Sequence, residues 1–290
     1  MTDQMMADRI TSHLDEESRK SYRICVMDEV TSTNTVLKQM ASDGAPTGTV
    51  LIACRQTGGR GRLGRAFHSP DGGLYMSILV RPEIAPADAL LLTTSTAVAC
   101  AEAIDTVCGY RDMDSLKRAK IKWVNDIYVN EKKVCGILAE SVFSVDGSRL
   151  SHAVIGIGIN LIKPTEGFPS SIAATAGALF SAHDAVFDDA GPLLAAQILF
   201  RMRRHLLCPC RDHIEEYRAR SFLTGRRVAV HPRGILGDAG ERIASVLGID
   251  DAFGLIVRYE NGDEAIVRSG EVILQEDGTA QLGASPVHIK

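Results

Sequence analysis

The chain has no Cys-x-x-Cys pair, no His-x-x-x-His pair and no Lys-Ser or Lys-Thr step closing a glycine-rich loop. The first two absences remove the common spacings of a zinc site. The third excludes a phosphate-cradling P-loop. No apolar run approaches the roughly 20 residues that a membrane-spanning helix needs. The first 23 residues, MTDQMMADRITSHLDEESRKSYR, lack the apolar segment of a signal peptide and are too acidic for a transit peptide. Residues 1–22 read as a polar, frayed or weakly helical leader, and the cytoplasm is the expected compartment. An excess of positive charge is missing too. The net charge is −4 and the pI about 6.1. Nucleic-acid binders rest on surplus Lys and Arg against phosphate, so neither DNA nor a membrane is an expected partner, although a local basic site is still allowed. The seven cysteines are odd in number, and most sit in apolar or semi-apolar surroundings. They read as reduced, buried thiols, and Cys208 and Cys210 lack metal spacing.

What is present suits a globular protein of one large domain, or one medium and one small. The 290 residues are 45% hydrophobic and 23% charged. Residues 23–30 (RICVMDEV) predict a short strand. Residues 32–44 predict a helix capped by Ser32 or Thr33, striped by Val36, Leu37 and Met40, and stopped at Gly44. A β-branched strand follows over 48–56. The alternation of Leu74, Met76, Ile78 and Val80 predicts a half-buried strand. Residues 86–108 carry helical spacing, with Pro86 near the first turn. Residues 121–143 predict two strands joined by a turn at 130–132, and 152–161 another strand. Pro192 opens a helix to about Leu207, Pro209 breaks it, and a shorter helix covers 211–220. Beyond 221 the texture becomes short strands between Gly, Asp and Asn turns, which predicts a small barrel. The expected class is α+β: a mixed-sheet domain over 23–220 followed by a small all-β domain over 221–290.

The stretch TGGRGRLGR, Thr57 to Arg65, packs four glycines and three arginines into nine residues. It fits the letters of a dinucleotide fingerprint, but RAFHSPDGG follows it and reads as turn, not helix. A mobile loop that brings backbone N–H groups and Arg60, Arg62 and Arg65 onto an anion is one reading; a solvated basic turn is the other. KWVND at 122–126 gathers a cation, an aromatic, an amide and a carboxylate at a strand end. Gly136, inside an apolar strand, marks a bulge or the close approach of a ligand. Gly156 and Gly158 share a strand face, with Asn160 in phase. That leaves room either for something flat or for a tightly packed helix.

Taken in order, DEVTSTN, RQTGGRGRLGRAFHSPDGGLYMSI, KWVNDIYVNEKKVCGILAES and VIGIGINL resemble the motif series of the biotin protein ligases. The resemblance spans roughly 23–275 and includes an SH3-like C-terminal barrel matched by SGEVIL (269–274). It implies a catalytic domain of the biotin/lipoate ligase type. It implies ATP and Mg2+, with biotin activated as biotinyl-5′-AMP and then passed to a lysine of a biotin carboxyl carrier protein. Matched residue by residue, it implies biotin contacts at Ser32, Thr33, Asn34, Gln56, Gly59, Arg60, Gly61, Arg62, Lys133, Gly136 and Gly158. The nucleotide side would be Arg62, Lys122, Asn125, Asp126, Lys133 and Asn160. Arg62, Lys122, Asp126 and Lys133 would carry the chemistry, and no metal ligand is directly assignable. Phe67 and Val124 stand where the family commonly has Trp and Pro. A lipoate or octanoate ligase or transferase of the same superfamily is the neighbouring alternative, and a biotin-sensing protein without catalysis is another. Some members add an N-terminal helix-turn-helix; with about 22 residues ahead of the first matched strand, a form without DNA binding is expected.

Overall fold

The computed structural model describes residues 3–109, 118–144, 146–181, 189–207, 210–231 and 242–275, with the backbone alone for 204–207. The chain divides into two compact units, Met1–Phe222 and Leu223–Lys290.

The first unit opens with helices α1 (Asp3–Ser12) and α2 (Glu16–Ser21). The leader is therefore not frayed. Ile10 and Leu14 are buried, Arg9 Nε donates to Asp189 Oδ1 at 2.8 Å, and Asp15 caps α2 by accepting from the Ser18 N–H at 2.8 Å. Strand β1 (Arg23–Val30), helix α3 (Thr33–Ser42) and strand β2 (Thr49–Gln56) form a crossover, so β1 and β2 run parallel. Ser32 occupies the N-cap position of α3, but its side chain makes no capping hydrogen bond. Just past the helix end, Gly44 takes the left-handed conformation (φ +92°) that glycine adopts at least cost.

Next come β3 (Leu74–Val80), α4 (Leu90–Val107), and the strands β4 (Lys120–Lys122), β5 (Asp126–Val129), β6 (Lys132–Phe143) and β7 (Leu150–Ile159). The sheet order is β1-β2-β3-β7-β6-β5-β4. Only the β1–β2 pair is parallel. Two expectations change here. Strand β3 is buried along all seven residues, because it is central and covered on both faces. Residues 121–143 hold three strands, not two, because the chain turns at 123–125 as well as at Asn130 and Glu131. The latter pair have φ of +49° and +61° and close the β5–β6 hairpin. The Trp123–Val124 peptide bond is cis.

One face of the sheet carries α4 and α6 (Ala190–Leu207). Helix α6 begins two residues before Pro192, which falls in its first turn; Pro209 lies outside the described residues. The helical stretch Pro86–Val107 is 22 residues long and apolar enough to cross a membrane by length and composition, which the sequence reading did not expect. Most of it is buried against α6 and the sheet, as a core helix is. On the other face, α3 seats Leu37 and Ala41 against Leu51, Leu79 and Val154. A short helix α5 (Ser170–Ala173) and α7 (Ile214–Ala219) complete the unit. A buried charge cluster ties α4 to the start of β4. Asp105 Oδ1 accepts from the Ala119 N–H at 2.8 Å. Arg220 Nη1 donates to Asp105 Oδ2 at 2.7 Å and to the Ala119 carbonyl at 2.9 Å.

The second unit contains β8 (Arg227–His231), β9 (Arg242–Ile249), β10 (Leu255–Tyr259), β11 (Glu264–Val267) and β12 (Glu271–Leu274). They form one antiparallel sheet in the order β11-β10-β9-β8-β12. Val228, Val230, Ala244, Val246, Leu255, Val257 and Val272 are buried. This sheet is consistent with the expected SH3-like module.

Candidate active site

Strand register gathers small residues on one face. Lys122 pairs with Asp126, Asp126 with Gly136, Gly136 with Gly158, and Gly158 with Tyr75. Cross-strand partners share a face. The row therefore runs from two charges, across two glycines, to an aromatic ring. In the next row, Leu138 pairs with Gly156 and Gly156 with Ser77. Without side chains on 136, 156 and 158 the sheet has a trough here.

The trough is lined and covered from two directions. From the start of α3, Thr33 donates its backbone N–H (2.8 Å) and its hydroxyl (3.1 Å) to Gln56 Oε1. Gln56 Nε2 donates to Ser69 Oγ at 2.9 Å. Ser77 Oγ lies 2.7 Å from Thr33 Oγ1 and 2.6 Å from Asn34 Oδ1. Ser32, Thr33, Asn34 and Ser77 are all buried. This hydroxyl and amide network is satisfied internally, as buried polar groups must be. A side chain on Gly156 would meet Asn34 Oδ1 at 2.2 Å, so this glycine makes room for Asn34.

Loop 57–69 supplies the other cover. It folds back on itself, with the Gly61 N–H on the Arg65 carbonyl (2.8 Å) and the Phe67 N–H on the Gly59 carbonyl (2.9 Å). A Cβ on Gly59 would strike the Phe67 carbonyl and Ser69 Oγ, each at 2.4 Å. Arg62 to Gly64 make one 3-10 turn, not the helix that a dinucleotide fingerprint requires. The Phe67 ring lies over the glycine pair: a Cβ on Gly158 would come within 2.5 Å of it, and one on Gly136 within 3.1 Å. Its edge meets the Tyr75 ring, with centroids 6.5 Å apart.

The charged residues stand around this trough. Lys133 Nζ is 2.8 Å from Asp126 Oδ1, both groups being mostly shielded from solvent. Arg62 Nη1 donates to Asn125 Oδ1 at 2.9 Å, and Asn125 Nδ2 donates to the Ile137 carbonyl at 2.9 Å. Loop 57–69 is thereby joined to the turn before β5. Asn160 lies beyond the end of β7, its Nδ2 donating to the Gly177 carbonyl at 2.8 Å. Arg60 is turned towards Glu140, with Nη2 3.3 Å and 3.2 Å from its two oxygens. Among the described residues no group of three or more His, Cys, Asp or Glu could hold a metal ion.

Of the residues read from sequence, Ser32, Thr33, Asn34 and Gln56 form a polar wall, Gly136 and Gly158 a floor under Phe67, and Arg62, Lys122, Asn125, Asp126 and Lys133 a charged end; Gly59, Arg60 and Gly61 lie in the covering loop, and Asn160 is bound to the Gly177 carbonyl past the end of β7. Sequence reading missed Ser69, Ser77 and Glu140. Ser77 and Glu140 carried a signal, since each is a polar residue inside an apolar strand and needs a partner. Ser69 carried none.

An amide-lined trough with a cationic end under a glycine-rich loop suits a ligand that is polar at one end and anionic at the other. The chain belongs to the biotin/lipoate A/B protein ligase family, whose model matches residues 26–160. Relatives within it include biotin protein ligases. It is 32% identical over 245 residues to the bifunctional ligase/repressor BirA of Bacillus spizizenii, covering 82% of this chain and 70% of that protein. To the biotin–[acetyl-CoA-carboxylase] ligase of Mycobacterium tuberculosis it is 27% identical over 290 residues, covering 94% and 99%. The biotin protein ligase of Aquifex aeolicus, solved with biotin and ATP, matches with a TM-score of 0.65 and 25% identity over 88% of this chain and 99% of that one.

Proposed function

We propose that the chain is an ATP-dependent biotin protein ligase of the cytoplasm that modifies a lysine of a biotin carboxyl carrier protein. The observation that carries this is the glycine trough, walled by Thr33 and Asn34, ended by Asp126 and Lys133, and roofed by loop 57–69. The ureido ring of biotin offers two N–H donors and a carbonyl, which the hydroxyls and amides of the wall complement. The bicyclic ring system would take the place over Gly136 and Gly158 that the Phe67 ring holds in this structure.

In the first step a carboxylate oxygen of biotin attacks the α-phosphorus of ATP. The bond from that phosphorus to the pyrophosphate oxygen breaks, giving biotinyl-5′-AMP. Two anions must meet, so the step needs cations that oppose repulsion and developing charge. Arg62, Lys122 and Lys133 supply them, while Arg60 is paired with Glu140. Magnesium is commonly held by one or two carboxylates together with substrate phosphates. Asp126 is the carboxylate at this end of the trough, so the ion would ride chiefly on the ATP phosphates and neutralise them. In the second step the acceptor amine attacks the acyl carbon and AMP leaves with the electron pair. Asp126 orients the incoming ammonium and helps remove its proton. Between the steps the anhydride must be kept from water, and loop 57–69 acts as the lid.

Isotope exchange between pyrophosphate and ATP tests this reading. Exchange that depends on biotin and is absent with lipoate supports it. Exchange with lipoate alone makes the chain a lipoate ligase, and exchange with neither removes the catalytic reading.

A further inference from the structure

Glu140 stands on β6 in phase with Gly136, two positions beyond Leu138. An acid inside an apolar strand is costly to bury unless paired. This one has three partners from two segments, two of them on α3 and one in loop 57–69. Its Oε2 accepts from Asn34 Nδ2 at 2.8 Å, its Oε1 from Lys38 Nζ at 2.8 Å, and both face Arg60 Nη2. Burial alone pushes its carboxyl up. Hydrogen bonds from Lys38 and Asn34 and the charges of Lys38 and Arg60 outweigh that and hold it below the usual range, so it is an anion at neutral pH.

The consequence falls on Asn34. A side-chain amide has two N–H donors and two acceptor lone pairs. One N–H goes to Glu140 and the other to the Leu138 carbonyl at 3.2 Å. Oδ1 accepts from Ser77 Oγ, which uses one lone pair. Asn34 can therefore offer a ligand an acceptor and no donor. A flipped amide would set its oxygen against the Glu140 carboxylate. The same carboxylate holds Arg60, which belongs to the lid.

We propose that Glu140 is a positioning residue: it fixes Asn34 as an acceptor for a ligand N–H and tethers the lid through Arg60, so it governs ligand affinity and not the chemical step. This rests on the reading of the trough as the ureido site.

The test uses the full chain with Glu140→Gln, Asn34→Asp and the double variant, measuring biotin binding by calorimetry and exchange kinetics side by side. E140Q is expected to raise the biotin Kd and KM about tenfold, the scale of losing a charge-assisted hydrogen bond, with kcat within about twofold. N34D sets two carboxylates against each other and weakens binding further. In N34D/E140Q an amide N–H can again meet a carboxylate, with donor and acceptor exchanged between the two positions, so affinity returns towards that of E140Q alone. Losses that add in the double variant overturn the proposal, as does an E140Q defect confined to kcat. Should N34D fail to fold, the KM against kcat split in E140Q decides. Absence of biotin binding by the unaltered chain instead refutes the reading of the trough, and the proposal with it.

Discussion

Arg62 of the glycine-rich loop donates a 2.9 Å hydrogen bond to Asn125 in the turn before β5. The pair joins the roof of the trough to its charged end. Arg62→Ala removes this clasp together with a cation. Adenylate formation is expected to fall about 10²–10³-fold, the scale seen when one group stabilising a transition state is removed. Biotinyl-AMP should also escape from the variant. Pyrophosphate exchange and the release of labelled adenylate measure the two effects, and normal values for both would contradict the assignment.

Asp126 and Lys133 form an ion pair 2.8 Å long. If Asp126 serves the acceptor amine, Asp126→Asn slows transfer to the carrier about 10²-fold, the range of one general base, while exchange falls much less. Equal losses in the two half-reactions would assign Asp126 to the nucleotide instead.

The glycine floor has a steric prediction. Gly158→Ala puts a methyl group 2.5 Å from the Phe67 ring, whereas Gly136→Ala places one at 3.1 Å. The first should raise the biotin KM more than tenfold by filling the trough, and the second should do less. Combining Gly158→Ala with Phe67→Ala relieves the ring contact but not the filled floor. A return of that double variant to ordinary KM would show that the ring, and not a ligand, needs the space.

Asp105 and Arg220 are a buried ion pair with backbone partners at Ala119. Arg220 Nε also donates to Glu216 Oε1 at 2.7 Å, so removing Asp105 takes away the buried one of its two carboxylate partners and strands the Ala119 N–H. Urea unfolding of Asp105→Ala should show a loss of up to about 3–5 kcal/mol, the scale of breaking a buried pair. A loss below about 1 kcal/mol, the scale of an exposed pair, would mean that Glu216 compensates Arg220 alone.

In the second unit Asp250 accepts from the N–H groups of Gly254 (2.7 Å) and Ala252 (2.9 Å) and from Arg268 (2.8 Å). Burial alone raises its carboxyl, and these hydrogen bonds together with the Arg268 charge outweigh it and hold the group low. A depressed folded pKa gives stability that is fully present above the ordinary aspartate range, about 3.9, and is lost as pH falls through the folded value. The Tm gap between the unaltered chain and Asp250→Ala should therefore be open at neutral pH and close in strong acid. A gap independent of pH would assign the effect to packing.

Much of this was legible because hydrophobic period and turn chemistry are local. Strands β1, β2 and β7 and helices α3 and α4 follow from spacing alone. The burial of β3 did not, since its alternation states one covered face and cannot state what lies over the other. The third strand in 121–143 was hidden because β4 is three residues long. The N-terminal helices owe their order to burial of Ile10 and Leu14, a tertiary effect on a segment with little pattern of its own. At the trough, the motifs marked Thr33, Asn34, Gly136 and Gly158. They did not reveal that Phe67 lies over the two glycines, because that needs register between strands far apart in sequence.

That register has a kinetic side. Gly158 faces Tyr75 only when β7 has inserted between β3 and β6, and closing so long a loop delays contacts of this kind in folding. The residues of the lid and α3 precede in the chain the strands that carry the floor. A slip of one residue in β7 would turn Gly156 and Gly158 to the opposite face and drive Ile157 and Ile159 into the trough. The floor of the trough is thus a property of strand frame and not only of composition.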